Sequence, residues 1–251
     1  MKEGAVIVAA GMSSRMGDFK PLLNIGSISI AQRIIATLHQ AGIMKIVVIT
    51  GYNADVLERH LAKDGIIFLR NENYRTTQMF DSAKIGLAYL RNKCRSILLT
   101  PVDIPLFTAC TVRQLLESGA ELACPVCNGK PGHPIMMSAA AADKILLDSG
   151  ENGLQGAISR CGFPITPVEV NDSGVLHDAD TPEDYEALLA YHNSQLIRPQ
   201  VHVSLAREKP FFDTKTAMLL TMVGETSSVR KACQRMQLSY SSGWKPSWAT
   251  R

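Results

Sequence analysis

The residues that could do chemistry begin almost at the start of the chain. Val8-Ala9-Ala10-Gly11-Met12-Ser13-Ser14-Arg15-Met16-Gly17-Asp18-Phe19-Lys20 extends a short apolar run into a loop with two glycines, two serines, an arginine and a lysine. Glycine lets a backbone turn sharply and bring N–H groups against an anion, while Arg15 and Lys20 bring the positive charge a triphosphate needs. No Gly-Lys-Ser/Thr follows at the Walker offset, and the glycine spacing is not that of the dinucleotide G-x-G-x-x-G pattern. A glycine-rich surface turn is the plainer alternative. Two acidic groups farther along suit a divalent cation. Asp103 stands between prolines in Pro101-Val102-Asp103-Ile104-Pro105, which hold its backbone extended. Asp178 and Asp180 are two residues apart, which in an extended segment turns both side chains the same way. Magnesium favours such a partial set, a few carboxylates completed by water and substrate phosphates. Helix capping is the plainer role across 180–184, and it suffices for Glu183 and Asp184. Together these parts call for phosphoryl or nucleotidyl transfer. Arg15 and Lys20 hold the triphosphate, Asp103 with Asp180 and Asp178 holds magnesium, and a second substrate's phosphate attacks in line. No Ser-His-Asp or Cys-His constellation is evident or needed.

These residues need a frame, and the hydrophobic pattern supplies one. Apolar residues at 28, 31, 34, 35 and 38 predict a helix over 28–40, stopped by Gly42. A β-branched strand over 46–49 follows, then a helix over 53–63 with Val56, Leu57 and Leu61 inward, and a strand over 66–69. After the polar run 71–78 come a helix over 80–92 and a strand over 97–99 that delivers Asp103. Alternating strands and helices imply an α/β fold with a mainly parallel, Rossmann-like sheet. In the order 3-2-1-4, strands one and four are neighbours, and Asp103 falls beside the glycine loop. Beyond Phe107 the pattern turns mixed. Thr108 caps a helix carrying Val112, Leu115 and Leu116. Strands over 122–126 and 134–137 flank a hairpin-like insertion, Asn128-Gly129-Lys130-Pro131-Gly132, and helices follow over 139–148 and 153–160. Short strands are expected over 165–170 and 175–177. Thr181 is a natural N-cap, with Pro182 at the first position of a helix to about His192.

The 251 residues allow one large domain with an appendage, and 46% hydrophobic with 20% charged residues is ordinary for a chain with a sizeable core. No apolar run approaches the length of a bilayer span, and the run after Met1 is too short for a signal peptide, so the reading is cytoplasmic with no membrane partner. The six cysteines lack the spacing of a disulfide scaffold. Cys124 and Cys127 form a C-x-x-C with only His133 nearby, which favours structural thiols over zinc. Charge divides unevenly: residues 1–197 carry 17 Lys/Arg against 20 Asp/Glu, net −3, whereas 198–251 carry 9 against 3, net +6. A domain over 1–194, a polar linker over 195–200 and a basic segment over 201–251 fit this division. The segment reads as helices over 214–223, with Ala217, Leu220 and Val223 inward, 227–236 and 238–245, with Gly224 ending the first, in the manner of a helix-turn-helix.

Val8-Ala9-Ala10-Gly11-Met12-Ser13-Ser14-Arg15-Met16-Gly17-x-x-Lys20-x-Leu22-Leu23 resembles the signature loop of the molybdopterin nucleotidyltransferases. Pro101-Val102-Asp103-Ile104-Pro105, Gly132-His133-Pro134 and Asp178-Ala179-Asp180-Thr181-Pro182-Glu183-Asp184 match the later motifs in order, over about residues 4–192. Ala-Ala-Gly and Pro-Val-Asp-Ile-Pro look more like the cytidylyl than the guanylyl branch. The resemblance implies CTP as nucleotide, molybdopterin-bound molybdenum as acceptor, and a molybdoenzyme or its chaperone as partner. It also implies nucleotide contacts from Ala9, Ala10, Gly11, Met12, Ser13, Arg15, Lys20, Ser82, Pro101 and Asp103, catalytic roles for Arg15, Lys20 and Asp103, and substrate contacts from Gly132, His133 and Pro134. Gln78 stands where the family often has the glycine of Gly-Met-x-x-Ser, while Met79 and Ser82 remain. The 201–251 segment resembles the helix-turn-helix half of molybdate-responsive regulators of the ModE type, implying a winged-helix-like domain that stops short of the wing. Ser239, Tyr240, Ser241 and Lys245 would then face DNA. Transfer to a sugar or polyol phosphate, and a regulator that couples nucleotide sensing to DNA, are the alternatives.

Overall fold

Strand β1, Lys2–Ala9, is the axis of the molecule, and its apolar run is buried on both faces. The computed structural model describes residues 2–13, 15–62, 64–196, 205–206 and 210–239, and it divides into two units, Met1–Gln195 and Leu196–Arg251. In the first unit β1 is followed by a hairpin of β2, Asn24–Ile25, and β3, Ile28–Ser29. Next come α1 Ile30–Gln40, β4 Lys45–Thr50, α2 Ala54–His60, β5 Ile67–Arg70, α3 Met79–Leu90 and β6 Cys94–Pro101. The chain continues with α4 Ala109–Glu117, β7 Leu122–Cys127, β8 Lys130–Pro131, β9 Ile135–Ser138, α5 Ala139–Leu146, α6 Gly153–Arg160, β10 Thr166–Glu169 and α7 Pro182–Gln195.

The sheet runs β10-β7-β9-β6-β1-β4-β5, with β8 paired to β7. β1 lies parallel between β4 and β6, β5 extends that parallel half, and β9 is antiparallel to both neighbours. This is the expected 3-2-1-4 order followed by a mixed half. Successive residues of β1 serve opposite faces. Ala5, Ile7 and Ala9 pack with Ile30, Ile34 and Leu38 of α1, Leu57 of α2 and Leu188 of α7. Val6, Val8 and Ala10 pack with Phe80, Ala83 and Leu87 of α3 and Ile145 of α5. Gly86 lets α3 lie directly on β1, because a Cβ there would come within 2.5 Å of Val6 Cγ1. That close approach brings the N-terminus of α3 to the end of β1.

Several local expectations are corrected. The helix expected over 28–40 starts at Ile30, because Gly26, at φ +67°, turns residues 24–29 into a hairpin, and Ser29 and Gln32 form a capping box. Val56 points outward, 42% exposed, since Leu57 and Leu61 already set the inward face of this short helix. Residues 175–177 are not a strand. Ser173–Leu176 form a 3₁₀ turn, capped where the Asp172 side chain accepts the Gly174 N–H. Helix α7 runs three residues past His192, to Gln195, opened by the Thr181–Asp184 capping pair. Within α7 the mutual neighbours Tyr185 and Leu189 also pack onto the α1 face.

The second unit holds a short antiparallel pair, β11 Leu205–Ala206 with β12 Pro210–Phe212, and two helices, α8 Thr214–Thr226 and α9 Val229–Arg235. Gly224 does not end α8, which continues to Thr226 and stops where Ser227 takes a left-handed conformation, φ 49°. Leu220 is 58% exposed rather than inward. Leu238 and Ser239 follow α9 as non-helical residues. Tyr240, Ser241 and Lys245, the other expected DNA contacts, lie outside the described residues.

A buried carboxylate fastens the mixed half of the first unit. Asp172, 6% exposed, accepts from Thr108 N at 2.8 Å, Thr111 Oγ1 at 2.5 Å and Gly174 N at 3.1 Å. An asparagine would set an NH₂ group against one of those donors. Asp172→Asn is expected to lower unfolding free energy by about 2–4 kcal/mol, read as a fall in the urea midpoint at unchanged slope. A midpoint within error of wild type would contradict this role.

Candidate active site

The C-terminal ends of β1, β4 and β6 open the site. In the sheet register Ala9 lies opposite Thr50, and Val8 opposite Pro101. Ala10 and Gly11 continue β1 into the loop, where Ser13 and Gly17 take left-handed conformations at φ 52° and 80°. The loop closes on itself: Met16 N donates to Ser13 O, and Lys20 N donates to Ser13 Oγ at 3.2 Å. Lys20 opens a 3₁₀ turn, Lys20–Leu22, and is only 8% exposed. A lysine this buried needs a counter-charge.

Two segments provide it. Val102 N donates to Val8 O, which fixes the run after β6 beside β1, and Ala179 N donates to Asp103 O, both at 3.0 Å. That second bond draws the loop before α7 onto Asp103. Lys20 Nζ then meets Asp180 Oδ1 at 2.6 Å and Asp103 Oδ2 at 3.8 Å, while Arg15 Nη1 reaches Asp180 Oδ2 at 3.3 Å. The structure thus brings together Arg15, Lys20, Asp103 and Asp180 from three distant parts of the chain. Its electrostatics are uneven. The Lys20 hydrogen bond holds the Asp180 carboxyl below the usual carboxylate range. Burial pushes Asp103 up, and the more distant Lys20 charge pulls it only partly back. Asp178 is solvent-exposed at its surface and makes no ion pair among the described residues; partial desolvation by its neighbours and then the Asp180 charge push its carboxyl up.

A cleft of about 210 Å³ opens beside this cluster. Ala9, Ala10, Gly11, Ser13, Lys20, Ser82, Pro101 and Asp103 line it, as do Gln78 and Met79 of the Gly-Met-x-x-Ser-like stretch and two residues with no expected role, Tyr74 and Thr77. The polar run 71–78 had looked like a connection. The signal in it is Asn71-x-Asn73, an aspartate-like turn in which Asn71 Oδ1 accepts the Asn73 N–H at 3.0 Å. Gln78 replaces the family glycine without strain, since its φ is −94° and its backbone N–H is capped by Asp81 Oδ2 at 2.8 Å. Met12 is 50% exposed and does not line the cleft.

Gly132, His133 and Pro134 do not line it either. His133 N donates to Val175 O at 3.1 Å, and Gly132 packs so tightly on Val175 that a side chain has no room. The His133 ring is held neutral by burial, with Nδ1 lacking a hydrogen-bond partner. Cys124 and Cys127 are free, buried strand residues. A broader depression of about 660 Å³ beside Asp55, Glu58 and Phe68 is open to solvent, and its acids are already engaged by Arg70. Among the described residues no group of three or more His, Cys, Asp or Glu could hold a metal by itself, which leaves the two carboxylates on Lys20 as the candidate pair.

The pattern of the MobA-like NTP transferase domain matches residues 5–164, the stretch carrying β1, the loop, the 71–82 wall and Asp103. The chain belongs to the MobA-like NTP transferase domain family. It is an enzyme of the nucleotidyltransferase type. It is 29% identical over 184 residues to the molybdenum cofactor cytidylyltransferase of Escherichia coli K12, covering 72% of this chain and 92% of that protein. In fold it is similar to a nucleotidyl transferase from Methanothermobacter, with a TM-score of 0.68 and 21% identity over 78% of this chain and 99% of that one. It is also similar to Rv0371c of Mycobacterium tuberculosis H37Rv, solved in complex with manganese, with a TM-score of 0.65 and 23% identity over 76% and 98% of the two chains. No helix among the described residues is long and apolar enough to cross a membrane.

Lys20→Met tests the charge arrangement. Asp180 titrates lower in the folded than in the unfolded chain, so its pairing contributes stability above the unfolded value near 4 and loses it as pH falls through the folded one. The variant should be destabilised by about 1 kcal/mol at pH 7, a figure discounted for the exposure of Asp180, and the gap should close as pH falls through the lowered folded-state value of Asp180. A gap that widens on acidification would contradict the pairing.

Proposed function

We propose that the enzyme transfers CMP from CTP to molybdopterin carrying molybdenum and releases pyrophosphate. The observation that carries this reading is the convergence of Lys20, Asp103 and Asp180 beside a cleft floored by the Ala10–Gly11 backbone. The relative named for cytidylyl transfer to molybdenum cofactor supports the nucleotide and the acceptor. In this reading a terminal phosphate oxygen of molybdopterin attacks the α-phosphorus of CTP in line. The bond from the α-phosphorus to the bridging oxygen breaks, and pyrophosphate leaves with the electron pair.

The residues fit a divalent cation. Asp103 and Asp180 already face one shared positive charge, the Lys20 ammonium. With magnesium they would be the ligands, and Asp178 stands near enough to feel the Asp180 charge and to join through water. Bound there, magnesium supplies neutralisation of phosphate oxygens and of the leaving pyrophosphate. Lys20 and Arg15, released from Asp180, hold the triphosphate oxygens. The backbone of Ala9, Ala10, Gly11 and Ser13, which line the cleft, would turn N–H groups to the same charge, and Ser82 and Pro101 would bound the nucleoside side. Gly132, His133 and Pro134, which lie outside the cleft, would serve the acceptor side through the backbone, Gly132 and His133 holding the Val175 segment in place. Catalysis then rests on positioning and charge neutralisation, without a covalent enzyme intermediate.

Purified protein with CTP, magnesium and molybdenum-loaded molybdopterin should release pyrophosphate, and chelation should stop it. GTP, ATP and sugar or polyol phosphates are the comparison substrates. Asp103→Asn should cut the rate by about 10²–10³-fold with the fold intact by circular dichroism. Absence of pyrophosphate from wild type under full supply, or undiminished turnover in the variant, would sink the reading.

A further inference from the structure

Asn71 does not line the cleft, yet it settles which way a hydroxyl in the cleft wall can bond. The residue is 5% exposed, and every polar atom of its side chain is committed. Oδ1 accepts the backbone N–H of Asn73 at 3.0 Å, which fixes the amide's orientation, because the atom facing an N–H has to be the oxygen. Both Nδ2 protons therefore point to hydroxyls, one to Thr77 Oγ1 at 2.8 Å and one to Ser82 Oγ at 2.9 Å. Each hydroxyl oxygen is thus an acceptor toward Asn71 and must place its own proton elsewhere. Thr77 gives its proton to the Asn73 carbonyl at 2.9 Å. Ser82, 3% exposed and lining the cleft, has no such acceptor among the described residues. The frame that holds this arrangement is rigid. Asn71 N donates to Thr50 O at 2.8 Å, at the end of β4, and α3 carries Ser82 on the helix that Gly86 presses against β1.

We infer that Asn71 is a specificity-determining, positioning residue, which keeps the Ser82 hydroxyl a donor aimed at an acceptor atom of the nucleobase. On cytosine those atoms are N3 and O2, which lie side by side on one edge. On its Watson–Crick edge guanine has the N1–H and N2–H donors where cytosine has N3 and O2, so a donor fixed toward those positions selects against it. The inference rests on the reading of the cleft as a CTP site and adds the residue that sets the polarity of base recognition. Asn71→Asp reverses that polarity: a carboxylate accepts the Ser82 proton and leaves only lone pairs facing the base.

The test is calorimetric binding of CTP, GTP and inorganic tripolyphosphate, with magnesium, to wild type, Asn71→Asp, Ser82→Ala and the double variant. Each single variant should weaken CTP about tenfold, the double variant should be no weaker than Ser82→Ala, and tripolyphosphate should bind all four alike. Asn71→Gln, which keeps the amide but displaces it by one methylene, provides the second route should the aspartate variant not fold, and the same selective loss is expected. Additive losses in the double variant, unchanged CTP affinity in either Asn71 variant, or equal weakening of CTP and tripolyphosphate would each overturn the inference. Wild type that binds tripolyphosphate but neither CTP nor GTP would instead remove the underlying reading of the cleft.

Discussion

One buried ammonium organises this enzyme. Lys20 sits nearly out of solvent at the mouth of β1, and a charge in that position is tolerable only with carboxylates against it. Asp180 and Asp103 meet that requirement from far along the chain, so the glycine loop, the run after β6 and the loop before α7 are tied at one point. Lysine is also a mobile cation on a flexible stem. The arrangement around Lys20 is therefore one that phosphate oxygens and a divalent ion could take apart, with the lysine passing to the phosphates and the carboxylates to the metal.

The remainder of the fold serves that point through backbone contacts as much as side chains. Hydrogen bonds from Val102 to Val8 and from Ala179 to Asp103 hold the acidic segments in place. Asp172 fastens the start of α4 to the 3₁₀ turn at Ser173–Leu176, which ends two residues before Asp178. On the opposite wall, Gly86 brings α3 onto β1 and Asn71 orients Ser82. In the proposed reading, triphosphate and base would be handled by different elements, charge on one side and hydrogen-bond direction on the other.

Much of this was legible in the sequence because it depends on local rules. Apolar runs with alternating helices gave the 3-2-1-4 order, and that order alone put Asp103 beside the loop. Arg15, Lys20, Asp103 and Asp180 were identifiable from charge at strand ends. What escaped depended on contacts between remote segments. The burial of Lys20 follows from the 3₁₀ turn and the return of the loop onto Ser13, neither of which has a periodic signature. Asn71 lay in a polar run, and its role arises from a helix eleven residues away. Gly132 was read toward a substrate, whereas its close packing on Val175 gives the glycine a steric reason of its own. Residues 175–177 read as a strand by composition, but the Asp172 side chain caps a tighter turn over Ser173–Leu176.

In the proposed exchange, Lys20 yields Asp103 and Asp180 to a metal only when a triphosphate is there to receive it. Manganese, followed by electron paramagnetic resonance of the free ion, measures this directly. The account predicts weak manganese binding to the protein alone, binding at least tenfold tighter once CTP is present beyond what CTP itself captures, and loss of that enhancement in Asp180→Asn. Manganese affinity that is the same with and without CTP, or an enhancement that survives Asp180→Asn, would contradict it.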